Sequence, residues 1–186
     1  MHEPILQVMN SKYQSFVNYY HSNKDKLFTY LMYRLGFDRA LAEDLMMDIF
    51  LIAYERLDQF DPKESSFQIW LFRLAHNHLA NRPRARTEKK AESPEEWIER
   101  HSTEADEVEY PMTEHIDNKH VQYLFTLLSE EDREIISLRY LQGLDPEKIS
   151  KIINKKMEAI RIHLQQALNR LAGLYKKVYL PEPPGA

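Results

Sequence analysis

The 186-residue chain has no cysteine and only four glycines. Without thiols there is no disulfide framework and no thiolate metal centre, which suits a reducing compartment and makes the cytoplasm the expected location. So few glycines exclude a glycine-rich phosphate loop. Long apolar runs are missing as well. The longest, Leu45 to Tyr54, is interrupted by Asp48, and the start MHEPILQVMNSKYQ has no basic region followed by an apolar one, so neither export nor a membrane span is expected. Alternating apolar and polar segments are also absent, which argues against a sheet. What the chain does have is helical periodicity, with a hydrophobic content of 43%, enough to build real cores.

A net charge of -4 would disfavour a nucleic-acid partner if it were spread evenly. It is not. Residues 87–117 carry a net -8, whereas residues 148–177 hold Lys148, Lys151, Lys155, Lys156, Arg161, Arg170, Lys176 and Lys177 against Glu158 alone, a net +7. Such a segment repels itself unless its partner is a polyanion, and release of about six counterions would make that binding steeply salt-dependent.

The stripes Phe16, Tyr19, Tyr20 and Leu27, Phe28, Leu31, Leu35 run to Gly36, which reads as a helix C-terminal cap. A second helix, from about Ala40 to Leu57, carries Leu45, Ile49, Phe50, Ala53 and Leu57 on one face and ends in the turn Phe60-Asp61-Pro62. Ser65 and Ser66 cap a third, with Phe67, Trp70, Leu71 and Leu74 on a buried face, and Pro83 ends it. Residues 87–114 have the composition of a linker, with Trp97 and Ile98 as its only anchors. Helices are then expected over His115–Leu128, from Ser129 to about Gln142, over Pro146–Ile153 and from about Met157 to Tyr175. Ser129 with Asp132 resembles a capping box, Asp145-Pro146 a cap with a first-turn proline, and Asn154-Lys155 a short turn. The expected fold is all-α: a helical domain over residues 1–86, an acidic linker over 87–114, a helix-turn-helix domain over 115–178 and a mobile tail over 179–186.

In the last two helices Ile149, Ile152, Ile153, Ile160, Leu164, Leu168 and Leu171 point inward. Lys155, Lys156, Arg161, Gln165 and Gln166 are left outside, a set that can bond base edges and phosphates. A solvated face on a helical hairpin would look similar, and the +7 segment decides for DNA. In SSFQIWLFRLAHNHLANRPRAR, residues 65–86, Arg73, His76, Asn77, Asn81, Arg82, Arg84 and Arg86 gather donors at one end of an apolar helix. The inward edges of Phe67, Trp70 and Leu71 are core, but an exposed aromatic edge beside those donors could stack an unpaired base, worth about 1–3 kcal/mol. Catalytic readings fare poorly. Asp44 and Asp48 lack the Glu-x-x-His partner of a carboxylate metal site, and His76 and His78 point away from each other. Neither an enzyme activity nor a metal or other cofactor is expected.

Three motifs, E-D-L-x-x-(D/E)-x-F from Glu43, F-x-x-W-L-F-R-x-A-x-N from Phe67 and L-x-x-x-x-R-x-x-x-x-L-R-Y-x-x-G from Leu128, together resemble a bacterial RNA polymerase sigma factor of the sigma-70 family, the compact extracytoplasmic-function type. The likeness covers about residues 10–86, sigma region 2, and 117–175, sigma region 4. It implies core RNA polymerase and promoter DNA as partners, with an anti-sigma factor as a further one. By the same resemblance Asp44, Met47, Asp48 and Leu51 would face the polymerase clamp. Lys63, Glu64, Ser65 and Ser66, with Trp70, Arg73, His76, Asn77, Asn81, Arg82 and Arg84, would hold the minus-ten element. Lys155, Lys156, Arg161, His163, Gln165 and Gln166 would read the minus-thirty-five element, and Glu95 to Glu109 would thread toward the RNA exit path. Met47 stands where glutamine is usual, Pro83 where a basic helix continues, His163 and Gln166 where basic residues are usual, and Asn154 where a turn glycine is. Weaker or differently specific minus-thirty-five binding is therefore expected. A polymerase-independent helix-turn-helix regulator is the alternative, and a structural helical adaptor a third.

Overall fold

The apolar stripe of the first segment forms α1 (Glu3–Arg34), which stops where Gly36 takes a left-handed φ of 67°. Phe37 follows with φ 67° as well, a conformation that costs a residue with a Cβ about 1–2 kcal/mol. Its ring offsets this by burial against Tyr33 and Trp97, with centroids at 4.8 and 5.7 Å. Residues 3–82, 92–104 and 119–180 are described in this computed structural model, and among them there are eight α-helices and no strand. The side chains of residues 3–12 and 102–104 lie outside that description.

Asp38 caps α2 (Arg39–Glu55), accepting from Leu41 N at 3.1 Å, and Ala42, Leu45, Met46, Ile49, Phe50 and Ala53 face the core. A short tight turn, Leu57–Gln59, leads to the loop before α3 (Phe67–Ala80). Ser66 caps α3 by accepting from Ile69 N at 3.4 Å, a long bond. Ser66→Ala is therefore expected to cost about 0.5–1 kcal/mol, the low end for a cap, read from the urea midpoint of the full chain. α3 ends at Ala80, three residues before Pro83.

The C-terminal module comprises α5 (Lys119–Thr126), α6 (Glu130–Ile136), α7 (Pro146–Ile153) and α8 (Met157–Tyr179). Between α6 and α7 the chain winds wider over Ser137–Leu141, with Gln142 N donating to Ser137 O, five residues back. Asp145 caps α7 with Pro146 in its first turn, and Asn154 takes the left-handed conformation, φ 56°, that a turn glycine would otherwise supply. α8 extends beyond Tyr175 to Tyr179, so the chain stays helical into the region read as tail. Residues 181–186 lie outside the described part.

Two local expectations are corrected. Ser129 does accept from Asp132 N at 3.1 Å, but the Asp132 carboxylate does not close a capping box, because Arg170 and His163 claim it. The segment read as a linker contains a helix, α4 (Pro94–Glu104). Its signal was a true capping box, Ser93 Oγ accepting from Glu96 N at 3.2 Å while Glu96 accepts from Ser93 N at 3.0 Å, which the low average hydrophobicity concealed. Trp97 docks it, buried against Phe37, Tyr123 and a stacked His101 ring at 3.9 Å.

The two modules are not apart. α6 and the wide turn lie on α1, and α7 lies on α3. Tyr33 meets Phe125 edge-on at 5.0 Å, and the Arg133 guanidinium donates to the Arg34 carbonyl at 3.0 Å as well as to Leu128 O and Thr126 O.

Candidate functional site

Three surfaces and one buried cluster carry the chemistry. On α2, Asp44, Met47, Asp48 and Leu51 recur at the three-and-four spacing of one helix face, opposite the core stripe, and all are exposed. Met47 is 61% and Leu51 58% accessible. Two large apolar side chains left in water between two carboxylates form a patch suited to a protein partner. Tyr54, one turn further on, is also exposed and extends the stripe, which the sequence reading had ended at Leu51.

On α3, Arg73, Asn77 and Asn81 are exposed at successive intervals of four, a ladder of donors along one face. Lys63 and Glu64 are exposed in the preceding loop, where Lys63 N donates to Asp61 at 2.8 Å; Ser65 is half-buried, and Ser66 is engaged as the α3 cap. Arg82 is half-buried at the helix end. Arg84, with Arg86, lies outside the described residues.

Two members of the expected minus-ten set have other partners. Trp70 offers no exposed edge: it is 5% accessible, its ring held between Phe60 and Phe67 with centroids 5.4 Å from each. Burying the indole gains more than leaving its edge in water, so its place is beneath the loop that carries Lys63 and Glu64. His76 turns from the ladder toward the other module, where its Nδ1 lies 2.8 Å from Glu134.

On the C-terminal module, Lys155, Lys156, Arg161, Gln165 and Gln166 are all exposed, along the turn before α8 and its first half. Ile149, Ile152 and Ile160 are buried beneath them. His163 has a partner inside the module. It is half-buried, and its Nε2 lies 2.9 Å from Asp132, which Arg170 grips with two bonds of 2.7 and 2.5 Å. Burial pushes the Asp132 carboxyl up, but the bonds from Arg170, His163 and Ser129 outweigh it and hold the group below its ordinary range. His163 thus braces α8 against α6.

The buried cluster joins the modules. Glu134 of α6, 3% accessible, accepts from the Tyr30 hydroxyl, the Arg34 guanidinium and the His76 imidazole, and Arg34 also donates to Tyr30 at 2.6 Å. Burial raises the Glu134 pKa, yet the His76 bond, the Arg34 charge and the Tyr30 bond more than compensate, so it stays below the ordinary glutamate value. Burial first, and then the Glu134 charge, push the Tyr30 phenol well up. Sequence reading missed this cluster: Tyr30 and Arg34 are spaced to meet on one helix, but nothing local pairs them with a residue a hundred positions away.

Against known proteins, the family profile described as Sigma-70 region 2 matches residues 19–89, and Sigma-70, region 4 matches residues 121–171. BldN of Streptomyces coelicolor, an ECF RNA polymerase sigma factor, is 26% identical over 174 residues, covering 94% of this chain and 65% of that protein. SigK of Mycobacterium sp. strain JLS, also an ECF RNA polymerase sigma factor, is 24% identical over 173 residues, covering 89% and 85%. This chain thus spans just under two thirds of BldN's length and most of SigK's. Among solved structures, RpoE of Bartonella quintana, in complex with the anti-sigma factor NepR, superposes with a TM-score of 0.64 at 20% identity, covering 88% of this chain and 98% of that one. CnrH, in complex with the cytosolic domain of CnrY, gives 0.63 at 18%, covering 88% and 89%. At these identities the structural likeness speaks for the fold alone.

Proposed function

Since this chain belongs to the sigma-70 family of transcription-initiation factors, as one of the extracytoplasmic-function type, we propose that it docks on core RNA polymerase through α2, holds the minus-ten element with the α3 ladder and its loop, and reads the minus-thirty-five element with the start of α8. The observation that carries this reading is the coexistence, inside the two family-matched segments, of an exposed apolar and acidic stripe with two separate cationic, amide-rich faces. The stripe suits a protein and the two faces suit DNA.

Mechanism follows from this division. Lys155, Lys156 and Arg161 neutralise phosphates, Gln165 and Gln166 reach base edges, and the module fixes its position on duplex DNA. Arg73, Asn77 and Asn81 then engage the non-template strand. With Trp70 buried, capture of an extruded base rests on hydrogen bonds from the loop Lys63 to Ser66 and from the ladder, and the indole only supports that loop. Docking, positioning and strand capture require no bond to be made or broken by the protein, so it acts as a non-catalytic subunit. Its place is the cytoplasm, with the polymerase, and an anti-sigma factor is a further partner. No helix among the described residues is long and apolar enough to cross a membrane.

The test is association with purified bacterial core polymerase, followed by run-off transcription from a random promoter pool. Failure to bind core, or binding without initiation on any template, would overturn the reading. Leu51→Asp is expected to abolish association with core while leaving the fold intact, since the side chain is exposed. On a selected minus-thirty-five duplex, replacing Lys155, Lys156 and Arg161 by alanine is expected to flatten the dependence of log affinity on log salt by about 0.9 per lost phosphate contact. An unchanged slope would place those contacts elsewhere.

A further inference from the structure

On the outer side of α8, Ile162, Gln165, Gln166 and Asn169 recur at intervals of three and four, so they form one stripe, and all four are exposed. On the opposite side Ile160 and Ala167 are buried, and Leu164, Leu168 and Leu171 pack against the core. From Ile162 to Asn169 the stripe runs about 10 Å at 1.5 Å per residue, the length of about three base-pair steps. A major groove about 12 Å wide admits such a helix. The stripe holds amides and one aliphatic side chain, and no charge.

The cations beside it are engaged. Arg170 is bound to Asp132 by two bonds of 2.7 and 2.5 Å, His163 lies 2.9 Å from the same carboxylate, and Arg161 Nη1 sits 3.8 Å from Glu158. Guanine offers two acceptors in the major groove, N7 and O6, and is read by the paired donors of an arginine or by a lysine. No such side chain belongs to the stripe.

Ile162 is 52% accessible. An aliphatic side chain offers nothing to a phosphate or to a base-edge donor or acceptor, and the groove feature it matches is the C5-methyl group of thymine. Gln165 is not free to turn, because its Nε2 donates to Asn169 Oδ1, one turn further on, at 3.2 Å. One of its two amide hydrogens is thereby taken. What remains is one acceptor, Oε1, beside one donor, the pair that adenine matches with its N6–H and N7. Guanine would set its O6 against Oε1. Residues three apart on a helix have Cβ atoms about 5–6 Å apart, which suits Ile162 and Gln165 to neighbouring base pairs.

We propose that α8 reads two adjacent A·T pairs: Gln165, oriented by Asn169, takes the adenine of one, and Ile162 covers the thymine methyl of the next. Asn169 is thus a positioning residue, and the whole assignment rests on the minus-thirty-five role proposed above.

The full-length factor on core polymerase, selecting promoters from a random pool, supplies the duplex for the test. In the enriched upstream element, replacing thymine by deoxyuridine one position at a time removes a single methyl group. One such replacement is expected to weaken binding about fourfold, the worth of a buried methyl, for the wild-type and Ile162→Val factors and to have no effect for Ile162→Ser. Exchanging the neighbouring A·T pair for G·C is expected to weaken wild-type binding about tenfold and Gln165→Ala binding far less. Asn169→Ala is expected to narrow the adenine preference at that same pair while the salt slope stays unchanged. Loss of affinity for every sequence alike would make Asn169 merely structural and overturn its positioning role. Deoxyuridine without effect at any position would overturn the proposal, and so would Ile162→Ser and Gln165→Ala acting on G·C pairs or on no single pair. A wild-type complex that enriches no upstream element would instead sink the proposed function.

Discussion

Trp70→Ala is expected to lower the unfolding free energy of the full chain by about 3–5 kcal/mol, the cost of deleting a large buried aromatic ring. The indole packs between Phe60 and Phe67, and Phe67 in turn stacks on Tyr19 at 4.2 Å, so the cavity would open where the loop, α1 and α3 meet. Denaturant unfolding checks the magnitude. Trp70→Phe keeps most of the apolar volume and should cost well under half as much. The pair also separates two roles for this residue. If Trp70 is core, the Trp70→Phe factor initiates transcription about as well as wild type once folded, whereas Asn77→Ala or Arg73→Ala impairs promoter opening more than closed-complex binding. A folded Trp70→Phe factor that binds promoters yet cannot open them would return the indole to the strand-capture surface.

Glu134→Ala is expected to weaken the docking of the two modules by about 3–5 kcal/mol, because it strands the Arg34 charge in the interface. Protection of amide hydrogens along α6 and the second half of α1 is the direct measure, and Glu134→Gln, which keeps shape and one acceptor, should lose less. The same carboxylate sets an acid limit. Its pKa is depressed in the folded chain, so its contribution is present in full above the ordinary value of about 4.5 and is lost as pH falls through the lower folded value. Asp132, also depressed, acts with the same sign below its ordinary 3.8, but on the packing of α8 against α6 within the C-terminal module. Docking should therefore hold steady, as far as Glu134 is concerned, from neutrality to about pH 4.5 and decay below it. In Glu134→Gln the part of that acid transition owed to Glu134 should disappear. A transition unchanged by the substitution would assign it to other carboxylates.

Much was legible in the residues because local rules act over short distances. Caps at Ser66 and Asp145, the stop at Gly36 and the left-handed turn at Asn154 each follow from a side chain or φ within a few positions. The inward stripe of α8 and the outward set Lys155, Lys156, Arg161, Gln165 and Gln166 follow from a period of 3.6. The same rules failed where averaging concealed them. The Ser93 and Glu96 capping box lay in a segment too acidic to look folded, and its helix forms because Trp97 finds a site against Phe37 and Tyr123.

By itself the sequence determined an all-helical chain, its two family-matched segments and the side chains each helix turns outward, since backbone propensity and hydrophobic period are read within a turn or two. Only the tertiary structure decided that His76 and His163 are braces, that Trp70 lies beneath its loop, and that the modules meet at Glu134. Those outcomes depend on which surfaces come together across a hundred residues of chain, and a buried carboxylate takes the donors that packing brings to it.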